Sequence, residues 1–255
     1  MIDRWFSTIR LPLTAEQFHR LPRDAAYKYE YFDGQALLTP RPKQYHAVLE
    51  LRPVEVPPTP ETRTPTRLRP LAADDWDRLP PLFAGAFHGV QPFATLGDAA
   101  RHEAARSCLH RTREGGDGPL IEPACLVAED QSVGRSVGAI LVTVMPEVDL
   151  TGLDPLHWGE PPPPDWLERA LGRPHLTWIF VGPWHAGHGI GSALLAAATQ
   201  RLLAHRYREL ASTFLLGNDA SLLWHWRNGF RLLPNPISPR QILRRVRAEL
   251  GPSEP

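Results

Sequence analysis

The sequence predicts an α/β (α+β) fold: a mixed, mostly antiparallel central sheet flanked by helices, with a β-rich N-terminal extension. Three observations carry this expectation. Two β-branched runs, EPACLVAED (122–130) and SVGAILVTVMP (136–146), flank a polar, glycine-containing turn and read as an antiparallel pair. HLTWIFVG (175–182) reads as a buried strand that stops at a glycine-rich turn and continues as an Ala- and Leu-rich helix over 190–207. A second strand and helix follow, ELASTFLLG (209–217) and NDASLLWHWRN (218–228), the latter opened by Asn218, a good N-cap.

Composition supports a globular chain. Of the 255 residues, 42% are hydrophobic, and 28 basic residues balance 28 acidic ones. A net charge of zero gives no global electrostatic argument for nucleic acid or an anionic membrane. Basic clusters at 100–113 and 239–250 read as solvated helix faces. Two cysteines, Cys108 and Cys125, are too few for a disulfide framework and suit a reducing compartment. No run approaches the ~18 apolar residues of a membrane helix, and MIDRWFSTIRLPL lacks the apolar core of a signal peptide. A cytoplasmic location is the expectation.

Along the chain, residues 1–66 read as a β-rich extension ending in a Pro-rich linker. YKYEYFDGQALLTP alternates aromatic and polar residues around Asp33-Gly34, a hairpin signal, and HAVLELRPVEV (46–56) is a further strand. PPTPETRTPTRLRP marks the linker, and TRLRPL begins the main domain, 67–234, as a short strand. AADDWDRLPPLFAGAF (72–87) is helical at both ends, with Pro80 and Pro81 expected to bend or interrupt it. A second helix spans 97–113. Residues 147–174, with PPPPDW, read as a surface insertion carrying a short helix at 165–171. GFRLLP (229–234) is a short strand, and 235–255 form a C-terminal helix and tail. The opening LPRDAAYKYEYFDGQAL has a faint likeness to the start of a restriction-endonuclease-like family, but the acidic and Lys residues such a nuclease needs do not follow.

GPWHAGHGIGSALL (182–195) is the stretch with the most chemistry. The first N–H groups of a helix have no partner within it, and the macrodipole adds partial positive charge there. Glycines at 187, 189 and 191 let an anion reach those amides without a Cβ in the way. A phosphate loop of the Gly-Lys-Ser/Thr type is excluded, because Ser192 and Ala193 follow Gly191. A dinucleotide fingerprint lacks its third glycine, and Glu209 lies at the wrong end of the next strand to hold a ribose.

In this stretch Val181-Gly182-Pro183 is followed by Ala186-Gly187-His188-Gly189-Ile190-Gly191, which resembles the acyl-CoA signature of the GCN5-related N-acetyltransferase (GNAT) family, Gln/Arg-x-x-Gly-x-Gly/Ala after a strand ending in Val-x-Pro. Ala186 stands where that family has Gln or Arg. A second motif follows one helix and one strand later: Asn218, Ser221, His225, then Gly229-Phe230. The resemblance covers about 67–234. It implies an acyl-CoA N-acyltransferase-like fold and acetyl-CoA as co-substrate, with direct acetyl transfer to a small-molecule or peptide amine, by a monomer or homodimer. It implies cofactor contacts at Val181, Ala186, Gly187, His188, Gly189, Ile190, Gly191, Ser192, Asn218 and Ser221. The Val181 main-chain amide becomes the candidate oxyanion donor. His225, at the position of the family's usual tyrosine, becomes the candidate general acid.

The general base is unassigned. His175 is the one titratable residue on its strand, and its bland reading is a strand cap. His185 and His188 lack a third metal ligand nearby, so no metal is expected. Trp224 and Trp226 read as core and cover residues, and Glu147, Asp149 and Glu160 as solvated loop acids. Because the family normally adds a final long strand after Gly-Phe and this chain offers proline there, a strand within 27–56 is expected to complete the sheet or cover its edge. Two other functions remain open: a catalytically weak acyl-CoA-binding or regulatory module, and a dinucleotide-binding oxidoreductase.

Overall fold

The computed structural model describes residues 8–22, 27–40, 44–53, 65–150, 158–215 and 218–233. The extension begins with β1 (Ile9–Pro12), α1 (Ala15–Arg20), β2 (Tyr27–Phe32) and β3 (Gln35–Pro40). The strands make a small antiparallel sheet in the order β1-β3-β2. Its hairpin turns at Asp33 and Gly34, with φ of 48° and 72°. A two-residue primed turn needs positive φ at both places, which is why Asp-Gly specifies it. Thr14 and Gln17 form a reciprocal capping box that starts α1.

The main sheet has seven strands in the order β10-β4-β9-β8-β7-β6-β5. They are β4 (Gln44–Glu50), β5 (Thr66–Pro70), β6 (Leu126–Asp130), β7 (Arg135–Met145), β8 (Arg173–Val181), β9 (Glu209–Leu215) and β10 (Arg231–Leu232). Every neighbouring pair is antiparallel except β8 and β9. The helices are α2 (Asp75–Ala86), α3 (Asp98–Arg113), α4 (Ile190–Ala204) and α5 (Asp219–Arg227). From α2 and α3, Leu79, Phe83, Ala105 and Leu109 pack on Val127, Leu141 and Phe180. From α4, Leu194, Leu195, Ala198 and Leu202 pack with Ile140, Val142, Leu176 and Leu210 in a second cluster. Burial on both faces explains why β7 reads as a near-continuous apolar run rather than an alternating one.

The expected N-terminal contribution to the sheet is β4. It pairs with β9 from Gln44↔Leu215 to Glu50↔Glu209, and its other edge carries β10 through Arg231↔Val48. The segment before residue 67 thus occupies the position between the Gly-Phe strand and β9, where the resemblance alone implies a later strand. The start of α2 is fixed by Asp75, fully buried, which takes two hydrogen bonds from Arg69 (2.6 and 2.8 Å) and one from the Ala72 N–H (2.8 Å).

Three expectations need correction. Helix α2 runs unbroken through Pro80 and Pro81. Pro81 is exposed while Leu79 and Phe83 are buried, so the core-facing side of the helix is held by packing on both sides of the prolines. At the expected short helix over 165–171, residues 164–170 form turns instead. Trp158 donates its indole N–H to the Val144 carbonyl at 2.9 Å, and Trp158 and Trp166 pack against the core, drawing the insertion onto the sheet. The Gly-Phe strand shortens to Arg231–Leu232. The expected helix at 239–250 and residues 151–157 of the insertion lie outside the described residues. Among the described residues no helix is long and apolar enough to cross a membrane.

Candidate active site

β8 and β9 pair only at His175↔Ala211 and Leu176↔Ser212. Beyond that point they part. The cause lies in β8 itself, where Leu141 pairs with Trp178 but Val142 pairs with Leu176, leaving Thr177 as an extra residue. Such a bulge bends its strand and shifts the alternation of its backbone groups. After the bulge, the Gly182 N–H donates to the Val137 carbonyl at 2.8 Å, on the β7 side. Backbone alternation then turns the N–H groups of Ile179 and Val181 to the other edge, toward β9, where no ladder continues.

A cavity of about 360 Å³ fills this parting. Asn218, Ser221 and His225 border it from α5, Phe214 and Leu215 from β9, and Phe87 and Trp178 from the α2 side, with His175 and Thr177 between them. His225 is buried and held at both nitrogens. Its Nδ1 lies 2.7 Å from the Ser221 carbonyl oxygen, which only accepts, so Nδ1 carries hydrogen. Nε2 then accepts the Ser212 hydroxyl at 2.8 Å. The ring stacks on Phe214 at 4.3 Å. Burial lowers its pKa to about 4, although the Ser221 carbonyl acts the other way.

His175 lies in a second polar chain. Thr143 gives its hydroxyl hydrogen to the Asp117 carbonyl oxygen (2.9 Å), so Thr177 donates to Thr143 (2.8 Å) and His175 Nδ1 donates to Thr177 (3.2 Å). Nε2 is thereby left as the acceptor of the ring, 3.1 Å from Thr213 Oγ1. Burial, and then the nearby His46, hold the His175 pKa down to about 4. His46 comes from β4, opposite Thr213 in the ladder, and its buried Nδ1 has no hydrogen-bond partner among the described residues.

The glycine turn lies at the end of β8. Gly182 leads into a single 3₁₀ turn (Pro183–His185), and Gly187 and Gly189 take φ of 79° and 78°. Both values belong to the left-handed region that glycine adopts without a Cβ penalty. Ala186, Gly187 and His188 are exposed, and a Cβ on Gly187 would meet nothing within 4 Å. The first bond of α4 runs from the Ala193 N–H to the Gly189 carbonyl, so Ile190, Gly191 and Ser192 have amides without a partner inside the helix. At Gly191 a Cβ would come within 3.1 Å of the Trp224 indole nitrogen. A side chain there would press on the indole, which would have to give by a few tenths of an ångström.

The remaining candidates fall in different places. Asn218 Oδ1 accepts the Ser221 N–H at 3.0 Å, so both residues cap α5 while lining the cavity. Ala186 and Val181 border not this cavity but a separate hollow of about 440 Å³ beneath α2 and α3. His185 turns toward Asp130 (3.9 Å) and His188 is exposed. Among the described residues no three His, Cys, Asp or Glu side chains gather as metal ligands. Trp224 is half-buried against the core, whereas Trp226 is exposed, as are Glu147, Asp149 and Glu160. The His175–Thr177–Thr143 chain and His46 escape a reading of the sequence. A histidine on a buried strand is the visible signal for the first. His46 has none, since it lies outside the resembling segment.

Solved structures with a similar fold include a GCN5-related N-acetyltransferase from Sphaerobacter thermophilus (15% identity, 89% of this chain and 57% of that chain, TM-score 0.49). A GNAT family acetyltransferase from Brucella melitensis, in complex with acetyl-CoA, aligns at 19% identity over 67% of this chain and 92% of its own, with a TM-score of 0.42. An aminoglycoside antibiotic 6'-N-acetyltransferase from Acinetobacter haemolyticus aligns at 14% identity over 65% and 90%, also with a TM-score of 0.42. The chain thus spans little more than half of the Sphaerobacter protein it matches. No curated protein matches it. A family model described as the acetyltransferase (GNAT) family matches residues 98–230, more than half of the chain and the whole stretch from α3 to Phe230. With its mostly antiparallel sheet, split strand pair and glycine turn, the chain belongs to the GNAT acetyltransferase family.

Proposed function

We propose that the protein is an acetyl-CoA-dependent N-acetyltransferase that passes the acetyl group directly to an amine. The observation that carries this reading is the parting of β8 from β9, which leaves the N–H groups of Ile179, in the cavity lining, and of Val181, just beyond it, without a ladder partner on the β9 side, beside a cavity bordered from both faces of the sheet. Direct transfer needs the donor and acceptor to meet in line, and a slot through a sheet lets them enter from opposite sides. On one face, the amides of residues 190–192, unpaired within α4, suit a diphosphate, and the bare backbone at Gly187 leaves room for it. Asn218 and Ser221 border the same approach. At the slot, the Val181 amide, with Ile179 beside it, donates to the thioester oxygen as it gains charge.

On the other face, His175 is the base. Its neutral ring keeps Nε2 as a lone pair, and the donation from Nδ1 to Thr177 fixes that tautomer. Thr213 turns its hydroxyl aside or carries the proton onward. His225 does not suit the role of an imidazolium acid, because a ring with a pKa near 4 is neutral at pH 7 and its one N–H is already given to Ser221. We assign it instead the positioning of the Ser221 hydroxyl, which accepts from the ring and keeps its own hydrogen for the departing thiolate, while Ser212 spends its hydrogen holding Nε2.

The test is acetyl-CoA binding by thermal shift, followed by release of free CoA thiol with a panel of amines. Stabilisation together with thiol release supports the enzyme. Stabilisation without release under any amine supports a second reading, an acyl-CoA-binding module, which the neutral His225 favours. No stabilisation rejects both.

A further inference from the structure

The acceptor end of the cavity is specialised, an inference that rests on the acetyl-transfer reading. Phe87, Phe93 and Trp178 border that end. Phe87 meets Phe93 and Trp178 edge-on at 5.7 and 5.8 Å, and Phe83 backs the group from the core, 4.8 Å from Trp178. The wall is therefore assembled from mutually packed rings without any ligand.

Polar groups at the same end are matched to one another. Trp178 gives its indole N–H to Thr112 at 2.9 Å, and Thr112 Oγ1 lies 2.7 Å from the Asp117 carboxylate. Arg111 pairs with that carboxylate at 3.0 Å and donates to the Gly116 carbonyl at 2.8 Å. Among the described residues Asp117 is the one carboxylate in the lining, and Arg111 already balances it. A second ammonium would find no free counter-charge here, and a substrate carboxylate would have to displace Asp117 from Arg111. What remains for a ligand is aromatic surface plus His175 Nε2, which a ligand nitrogen reaches by taking the place of the Thr213 hydroxyl 3.1 Å away.

We propose that the acceptor is a primary monoamine carried on an aromatic or bulky apolar body, with the body against Phe87 and Trp178 and the nitrogen at His175. Among the described residues the matched charges offer polycationic aminosugars and free amino acids no counter-charge at this end of the cavity.

The experiment measures binding of three probes by calorimetry in the presence of CoA, so that no turnover is needed: 2-phenylethylamine, alanine and kanamycin, with ethylamine as the reference for a bare amine. Phenylethylamine is expected to bind at least about tenfold tighter than ethylamine, the scale of an aromatic contact in an apolar site. Phe87→Ala, and Phe87→Leu as a variant that keeps bulk without a ring, are expected to bring that ratio toward one. Equal affinities across the panel, tighter binding of kanamycin or alanine, or a ratio untouched by both variants would overturn the proposal. Acetyl-CoA stabilisation, read in parallel, decides the acetyl-transfer reading separately: if it is absent while phenylethylamine still binds selectively, the aromatic site stands and the transfer reading falls.

Discussion

His175 Nε2 lies 3.1 Å from Thr213 Oγ1, a contact made beside the last residues at which β8 and β9 still pair. The ring is neutral at physiological pH because burial and His46 hold its pKa to about 4. Replacing it by glutamine preserves a polar side chain of similar reach and removes the proposed base. His175→Gln is expected to lower kcat about a hundredfold or more while acetyl-CoA binding persists. The wild-type pH–rate profile should show no limb near 6.5 from this group, and pre-steady-state kinetics against pH would reveal one if His175 titrated normally.

The same depressed values bear on stability. His175 and His225 both titrate near 4 in the folded chain against about 6.5 when unfolded. The unfolded state therefore binds more protons between those values. The stabilising effect of keeping the rings neutral is complete above pH 6.5 and is lost as pH falls toward 4. Urea midpoints should decline over that window, and His225→Gln should flatten the decline.

Gly189, at φ 78°, opens α4. Gly189→Ala and Gly189→Glu impose the same backbone strain, about 1 kcal/mol. Only the glutamate adds a negative charge beside the helix mouth. Acetyl-CoA is expected to stabilise the alanine variant nearly as well as wild type and the glutamate variant at least about tenfold more weakly, measured by titrated thermal shift. Equal weakening in both would assign the effect to strain.

Arg69 and Asp75 lock the first strand of the main domain to α2. Burial by itself would raise the Asp75 pKa, but the Arg69 hydrogen bonds, the Ala72 N–H and the charges of Arg69 and Arg78 outweigh it and the net shift is downward. Removing one partner strands the other. Asp75→Asn is expected to destabilise the fold by about 3 kcal/mol, seen as a lower denaturant midpoint with unchanged m-value, whereas Arg69→Met combined with Asp75→Leu should recover part of the loss.

Val48 stands between Ala211 of β9 and Arg231 of β10. Proline there removes a ladder donor from an interior strand. The Val48 backbone groups face β10, so Val48→Pro should cost about 3 kcal/mol or more and increase aggregation by releasing β10 and exposing the β4 edge, which light scattering during thermal unfolding would register.

Much of this architecture is legible in the residues. Asp33-Gly34 specifies its hairpin, Asn218 caps α5 as its chemistry requires, and β6 and β7 are visible as β-branched runs. The glycine turn is readable because left-handed backbone leaves few alternatives to glycine. The heart of the site is not. A bulge at Thr177 depends on how β8 meets β7, and no local pattern announces it. His46 reaches the site only through pairing with a strand far along the chain. The prolines of α2 mislead because local propensity yields to packing of Leu79 and Phe83 on the sheet.

Placing β4 between β9 and β10 has a consequence for assembly. The strand that leaves the ribosome early finds its neighbours only after nearly all the remaining elements have been made, so its closure is a long-range event with a high loop-entropy barrier. Until then the nascent protein carries an unpaired ribbon that includes Ala47, fully buried in the folded chain, and β9, whose residues 212–215 line the cavity, lacks its neighbour on the other edge.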